Sequence, residues 1–123
     1  MALAAGCSRQ APGPEALLAA ARAAPPAERE ALYAELLRRA PRTPGASLDL
    51  GELLYAAGRP MEAEPLLRHA VALTPRDPRA HAALGALLRF KGDVDGAVAA
   101  LRAAAELAPE DASIRAALEQ MTE

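Results

Sequence analysis

Apolar positions in this chain recur on two scales. Over short distances they fall three and four residues apart, as at Leu50, Leu53 and Leu54 and again at Leu84, Leu87 and Leu88. That spacing places them on one face of a helix rather than on alternating faces of a strand. Over longer distances the whole pattern returns every 34 residues: 44–77 superposes on 78–111 without a gap, and Pro41, Pro75 and Pro109 mark one phase. A fixed period of that length means one structural unit copied along the chain, not a single core around a central active site.

Each copy reads as a helical hairpin. Gly51 and Gly85 occupy the same place inside the first helices. An interior glycine costs a helix about 1 kcal/mol relative to alanine, so two at one phase imply a close crossing by the second helix. Gly58 and Gly92 end the first helices, where a left-handed backbone is easiest for glycine. Asp93 then reads as a cap for the next helix, and Pro60 as its first-turn counterpart in the other copy. The second helices carry Ala63, Leu67, Ala70 and Leu73 in one copy and Ala97, Leu101, Ala104 and Leu107 in the other, a stripe with small residues at the crossings. Pro65 lies early enough in its helix to be tolerated. Pro75 and Pro109 stop these helices, after which Asp77 reads as a cap with Pro78 at the first helical position.

This pattern resembles the tetratricopeptide repeat family, through Leu50, Gly51, Leu54, Gly58, Ala63, Leu67, Ala70 and Pro75 and their partners Leu84, Gly85, Leu88, Gly92, Ala97, Leu101, Ala104 and Pro109. The sequence departs from the family at Ser47 and His81, where a large aromatic is often found, and looser packing is expected there. Upstream, 10–43 has the length of one more repeat, with Leu17, Tyr33, Leu36 and Pro41 in phase. It is degenerate: Arg29 stands at the helix crossing and Pro25-Pro26 replaces the glycine turn. Downstream, 112–123 begins another copy with Ile114 and Leu118 and reads as a polar-faced capping helix. The resemblance implies an all-α fold, a right-handed superhelical array (α-solenoid) of antiparallel helix hairpins over 14–41, 44–75 and 78–109. With the cap over 112–123 the expected total is about seven helices, and 1–13 is left as a flexible segment.

Composition narrows the function. Aromatics make up 2% of a chain that is 52% apolar, so the core is built from Ala, Leu and Val. A net charge of −2 leaves no basic footprint for nucleic acid, and no uninterrupted apolar run reaches the ~18 residues of a membrane span. The single cysteine, Cys7, excludes an intrachain disulfide and a thiolate zinc site. His69 and His81 lack a third ligand and read as solvated surface histidines. The carboxylates, for example Glu62 and Glu64 or Asp93 and Asp95, have the spacing of solvated faces and caps. Ser8, Ser47 and Ser113 have no base nearby, and no phosphate loop or nucleophile elbow is present. Neither catalysis nor a cofactor nor a metal is expected.

Residues 3–8 (Leu, Ala, Ala, Gly, Cys, Ser) resemble the lipobox of bacterial lipoproteins. The stretch before Cys7 has no basic region and is far shorter than an export signal. Two readings stay open. With an export signal upstream, Cys7 would be lipidated and would tether the protein to the cell envelope on its periplasmic side. Otherwise Cys7 is an incidental thiol on a frayed end of a cytoplasmic protein.

In the family, the concave face lined by the first helices binds extended peptides or helices. By phase, the resemblance assigns that lining here to Leu18, Arg22, Leu48, Asp49, Glu52, Tyr55, Ala56, Arg79, Ala82, Ala83, Ala86, Arg89 and Phe90. Of these, Arg22, Glu52, Tyr55, Arg79, Arg89 and Phe90 are the expected partner contacts, since aromatics and arginines most often anchor interfaces. Both rings could instead serve only to close helix ends against the neighbouring hairpin. One subclass of the family clamps acidic C-terminal tails with Lys, Arg and Asn. The matching places here hold Leu18, Leu48, Glu52, Ala82, Ala83 and Ala86, which favours a mixed apolar and charged peptide bound at micromolar strength. The expectation is a non-enzymatic interaction scaffold for another protein or peptide. The alternative is a structural module that self-associates into a homo-oligomer through its end hairpins.

Overall fold

The computed structural model describes residues 12–122, and among them it holds seven α-helices and no strand. They are α1 (Pro14–Ala23), α2 (Pro26–Arg39), α3 (Ala46–Ala56), α4 (Pro60–Leu73), α5 (Pro78–Lys91), α6 (Val94–Leu107) and α7 (Ala112–Thr122). The chain divides into two compact units, one ending at Thr43 and one beginning at Pro44.

In the second unit the closest packing is within the pairs α3–α4 and α5–α6, with α5 also against α4 and α7 against α6. The two hairpin turns are built alike. Gly58 and Gly92 take positive φ of 80° and 88°. Just beyond them the Arg59 N–H donates to the Leu54 carbonyl, and the Asp93 N–H to that of Leu88. These bonds satisfy carbonyls that a helix end leaves open, and only glycine reaches the required backbone cheaply. The next helices start at Pro60 and, in the other copy, at Val94, behind the cap Asp93, whose carboxylate accepts from the Gly96 N–H. Asp77 caps α5 by accepting from the Arg79 N–H, with Pro78 at the first position.

Gly51 and Gly85 mark the crossings. A β-carbon on Gly51 would lie 2.6 Å from Leu67 Cδ2; one on Gly85 would lie 3.0 Å from Leu101 Cγ. Around these crossings the core is leucine and alanine, with Ala63, Leu67, Ala97 and Leu101 all buried. Leu107 departs from its stripe: it is 39% exposed, whereas Leu73 at the same phase is half-buried. The neighbours account for the difference, since α4 is succeeded by a complete hairpin and α6 by the single helix α7.

The family's aromatic position is filled differently in the two copies. Ser47 is buried, and its hydroxyl has no hydrogen-bond partner among the described residues. His81 is half-buried rather than solvated, with Nε2 2.8 Å from the Pro75 carbonyl oxygen. His69 is likewise half-buried. The end helix α7 is not polar on all sides, since Ile114 is buried against Ala104 and Ala108.

The first unit pairs α1 with α2. Pro25 and Pro26 form its turn, Pro26 being the first helical residue. Arg29 spans that turn, its Nε donating to the Ala24 carbonyl at 2.8 Å. A long side chain thus supplies a tie that glycine geometry supplies in the other hairpins. Tyr33 and Leu36 are buried, and Thr43 closes the unit by donating from its hydroxyl to the Ala40 carbonyl.

Candidate functional site

The first helices of the second unit, α3 and α5, carry both aromatic rings assigned to the groove. Tyr55 and Phe90 meet edge to face, with centroids 6.0 Å apart and planes at 88°. The Tyr55 hydroxyl also reaches the Ala86 carbonyl at 3.4 Å. Tyr55 therefore stands half-buried against the next hairpin, while Phe90 remains 68% exposed.

Below the rings lies an open cavity of about 420 Å³. Tyr55 and Ala82, Ala86, Arg89 and Phe90 of α5 form one wall, Ser113, Ile114 and Ala117 of α7 the other, and Leu101 also contributes. The hollow exists because α5 presents alanine where α3 presents larger side chains. Its far wall is held by Asp111, whose Oδ1 accepts from the Ser113 hydroxyl at 2.7 Å and from the N–H groups of Ser113 and Ile114. The Ser113 hydroxyl, then the Ile114 N–H, hold the Asp111 carboxyl below its ordinary pKa.

The remaining expected groove residues go elsewhere. Arg79 reaches back from α5 to α3, 3.1 Å from Glu52 and 4.0 Å from Asp49, so Arg79 and Glu52 pair with each other. Arg22 lines a shallow hollow in the first unit with Glu15, Leu18, Ala19 and Ala23. Leu48 is buried, contrary to its assignment to an open face. Tyr55, Arg89 and Phe90 are thus the expected contacts that share one cavity. Cys7 lies outside the described residues.

Ser113, Ile114 and Ala117 were missed as cavity walls because the 112–123 segment read only as a cap. The signal was available: Ile114 and Ala117 repeat the phase of Ala80 and Ala83. Away from the cavity lining, Glu64 of α4 bonds Lys91 of α5 and Arg68 of its own helix. Those two cations, Lys91 first, lower its pKa. Arg59 does the same for Glu62. These carboxylates are ion-paired side chains along helices rather than a converging pair. Among the described residues no cluster of three His, Cys, Asp or Glu side chains is placed to hold a metal, and no helix is long and apolar enough to cross a membrane.

Comparison with solved structures finds the same architecture repeatedly. MamA from Desulfovibrio magneticus RS-1 is 26% identical with a TM-score of 0.76, over 89% of this chain and 64% of that one. A mutant of the Thermobaculum terrenum O-GlcNAc transferase is 31% identical with a TM-score of 0.78, over 88% of this chain and 22% of that one. The chain therefore spans less than two thirds of either protein. The Sgt2 tetratricopeptide domain from Aspergillus fumigatus, at 21% identity and a TM-score of 0.79, covers 91% of this chain and 78% of that one and shows the shared fold. No curated protein matches the sequence. The tetratricopeptide repeat family matches residues 29–78 and 48–112, together more than half of the chain. The recurring glycine crossings, the paired hairpin turns and this match agree: the chain belongs to the tetratricopeptide repeat family.

Proposed function

We propose that this protein is an interaction scaffold that holds a segment of a partner polypeptide in the cavity between α5 and α7. The observation that carries the reading is the cavity itself, lined mainly by alanine, isoleucine and aromatic side chains, with Phe90 left largely exposed at its edge. A hollow of this kind, apolar with few polar groups, is the usual form of a ligand site. An exposed phenylalanine beside it offers contact area at small entropic cost. A structure of the first tetratricopeptide domain of Spaghetti (RPAP3) with the HSP90 peptide SRMEEVD supports the reading at the level of the fold. That domain is 18% identical to this chain, so its peptide is not carried over.

The test is a peptide library displayed on phage and selected on the purified protein and on an Ala86→Trp variant. Ala86 is solvent-exposed, so the indole enters the cavity without disturbing the core. Enrichment on the native protein that disappears with the variant, at unchanged helicity, supports the site. Equal enrichment on both proteins refutes it.

A further inference from the structure

The cavity has a single charged residue in its lining, Arg89, and no acid lines it, Asp111 being bonded behind the Ser113 hydroxyl. Several other cations of the same hairpins are ion-paired: Arg79 with Glu52, and Lys91 and Arg68 both with Glu64. The Arg89 guanidinium makes no hydrogen bond or ion pair with any described residue. An exposed arginine without a counter-charge is ordinary by itself. At the mouth of an apolar hollow it sets the sign of charge that a ligand gains by bringing.

We infer that the occupant is an extended polypeptide segment in which a bulky apolar side chain stands next to an aspartate or glutamate. This assignment rests on the peptide groove proposed above and names its ligand. The apolar side chain enters between Phe90 and Ile114, and the neighbouring carboxylate meets the Arg89 guanidinium. The cavity, at about 420 Å³, lies toward the low end of ligand sites, which run from about 300 to 1,000 Å³. It takes one or two large side chains and excludes the broad face of a helix. The wall hydroxyls are oriented to accept: that of Ser113 donates to Asp111 and that of Tyr55 to the Ala86 carbonyl. Their lone pairs are left for backbone N–H groups of the segment. A basic segment would instead place like charge against Arg89.

The experiment titrates acetylated and amidated peptides into the full-length nitrogen-labelled protein and monitors its amide resonances. The probe is Gly-Ser-Phe-Glu-Gly-Ser-Gly, with Gln or Lys in place of Glu and Ala in place of Phe as controls. The Phe-Glu peptide should shift amides along α5 and α7. Gln for Glu should weaken it about fivefold, the upper range for a solvent-exposed ion pair, and Ala for Phe should weaken it further. Arg89→Glu should lose the Phe-Glu peptide and gain the Phe-Lys one by a similar factor.

Equal binding of the Phe-Glu and Phe-Gln peptides at the groove overturns the carboxylate assignment and leaves the groove standing. Tighter binding of a peptide that ends in a free phenylalanine carboxylate overturns the internal acid. If the same amides shift with protein concentration alone, a second copy is the occupant and this inference fails. If no groove amide responds to any peptide, both this inference and the proposed function fall.

Discussion

Placing a methyl group at Gly51 tests the hairpin crossing where the structure is tightest. An added β-carbon would sit 2.6 Å from Leu67 Cδ2 and 2.8 Å from Leu67 Cγ. Carbon atoms in contact prefer about 3.5–4.0 Å, so the overlap approaches 1 Å. Leu67 cannot swing aside, because it is only 1% exposed and held on every side. Overpacking of this sort costs about 1–3 kcal/mol, against a gain of about 1 kcal/mol from replacing a helical glycine by alanine. An overlap of this size belongs at the upper end of that range, about 2–3 kcal/mol, so Gly51→Ala should lose roughly 1–2 kcal/mol net. Gly85→Ala is the internal control: its β-carbon would lie 3.0 Å from Leu101 Cγ and 3.3 Å from Cδ2. A shift of a few tenths of an ångström relieves that contact, and the two opposing effects should nearly cancel. Urea unfolding monitored by helical circular dichroism measures both variants. Leu67→Ala made together with Gly51→Ala should cost less than the sum of the two separately, since removing the leucine removes the clash. A Gly51→Ala protein as stable as the native one, or strict additivity with Leu67→Ala, would refute the crossing geometry.

Four other contacts give outcomes of the same kind. Ser47→Ala should raise stability by up to about 1 kcal/mol, because it removes a buried hydroxyl that has no partner; a lower urea midpoint would show that the hydroxyl is bonded. Phe90→Ala should leave the unfolding midpoint almost unchanged, given the exposure of the ring, while weakening the selected peptides measurably by fluorescence anisotropy. Asp111→Ala should speed amide exchange in the first turn of α7, where its carboxylate holds Ser113 and Ile114, and equal exchange rates would deny it the capping role. For pH, Glu64 and Asp111 have native pKa values below their ordinary ones, so their stabilisation is complete above the unfolded values near ~4 and is lost as pH falls through the lower native values. Thermal melts should be insensitive to these groups between about pH 6 and 8, and the decline in acid should be shallower in a Glu64→Gln, Asp111→Asn double variant.

Local features were readable from the chain because their causes are local. Gly58 and Gly92 announce left-handed turns, and Asp77 and Asp93 announce caps, since each acts on backbone within a few residues. Gly51 and Gly85 were readable by repetition. Burial was not, because phase fixes the direction of a side chain but not what covers it. Leu48 and Ala82 share a phase, yet Leu48 is buried and Ala82 lines an open cavity. Leu73 and Leu107 diverge similarly. Arg29 shows a second limit: nothing in its spacing indicates that its guanidinium turns back onto the Ala24 carbonyl.

The site itself lies where the copies stop being alike. Along one phase of the first helices, Asp49 becomes Ala83, Glu52 becomes Ala86, Tyr55 becomes Arg89 and Ala56 becomes Phe90. On α3 the two acids draw Arg79 across and that stretch of surface is occupied by its own ion pairs. On α5 the same positions are alanines, and α7 has Ser113 where α5 has Arg79, so no such ion pair spans the two helices and the cavity opens. Arg89 and Phe90 then stand at its edge, one cationic without a counter-charge and the other apolar with most of its ring in solvent. A repeat keeps its backbone by keeping its glycines and small crossings; it acquires a ligand by varying residues that those crossings do not use. The period in this chain therefore locates the scaffold, and departures from it, Leu48 to Ala82 and Arg79 to Ser113 among them, locate the cavity.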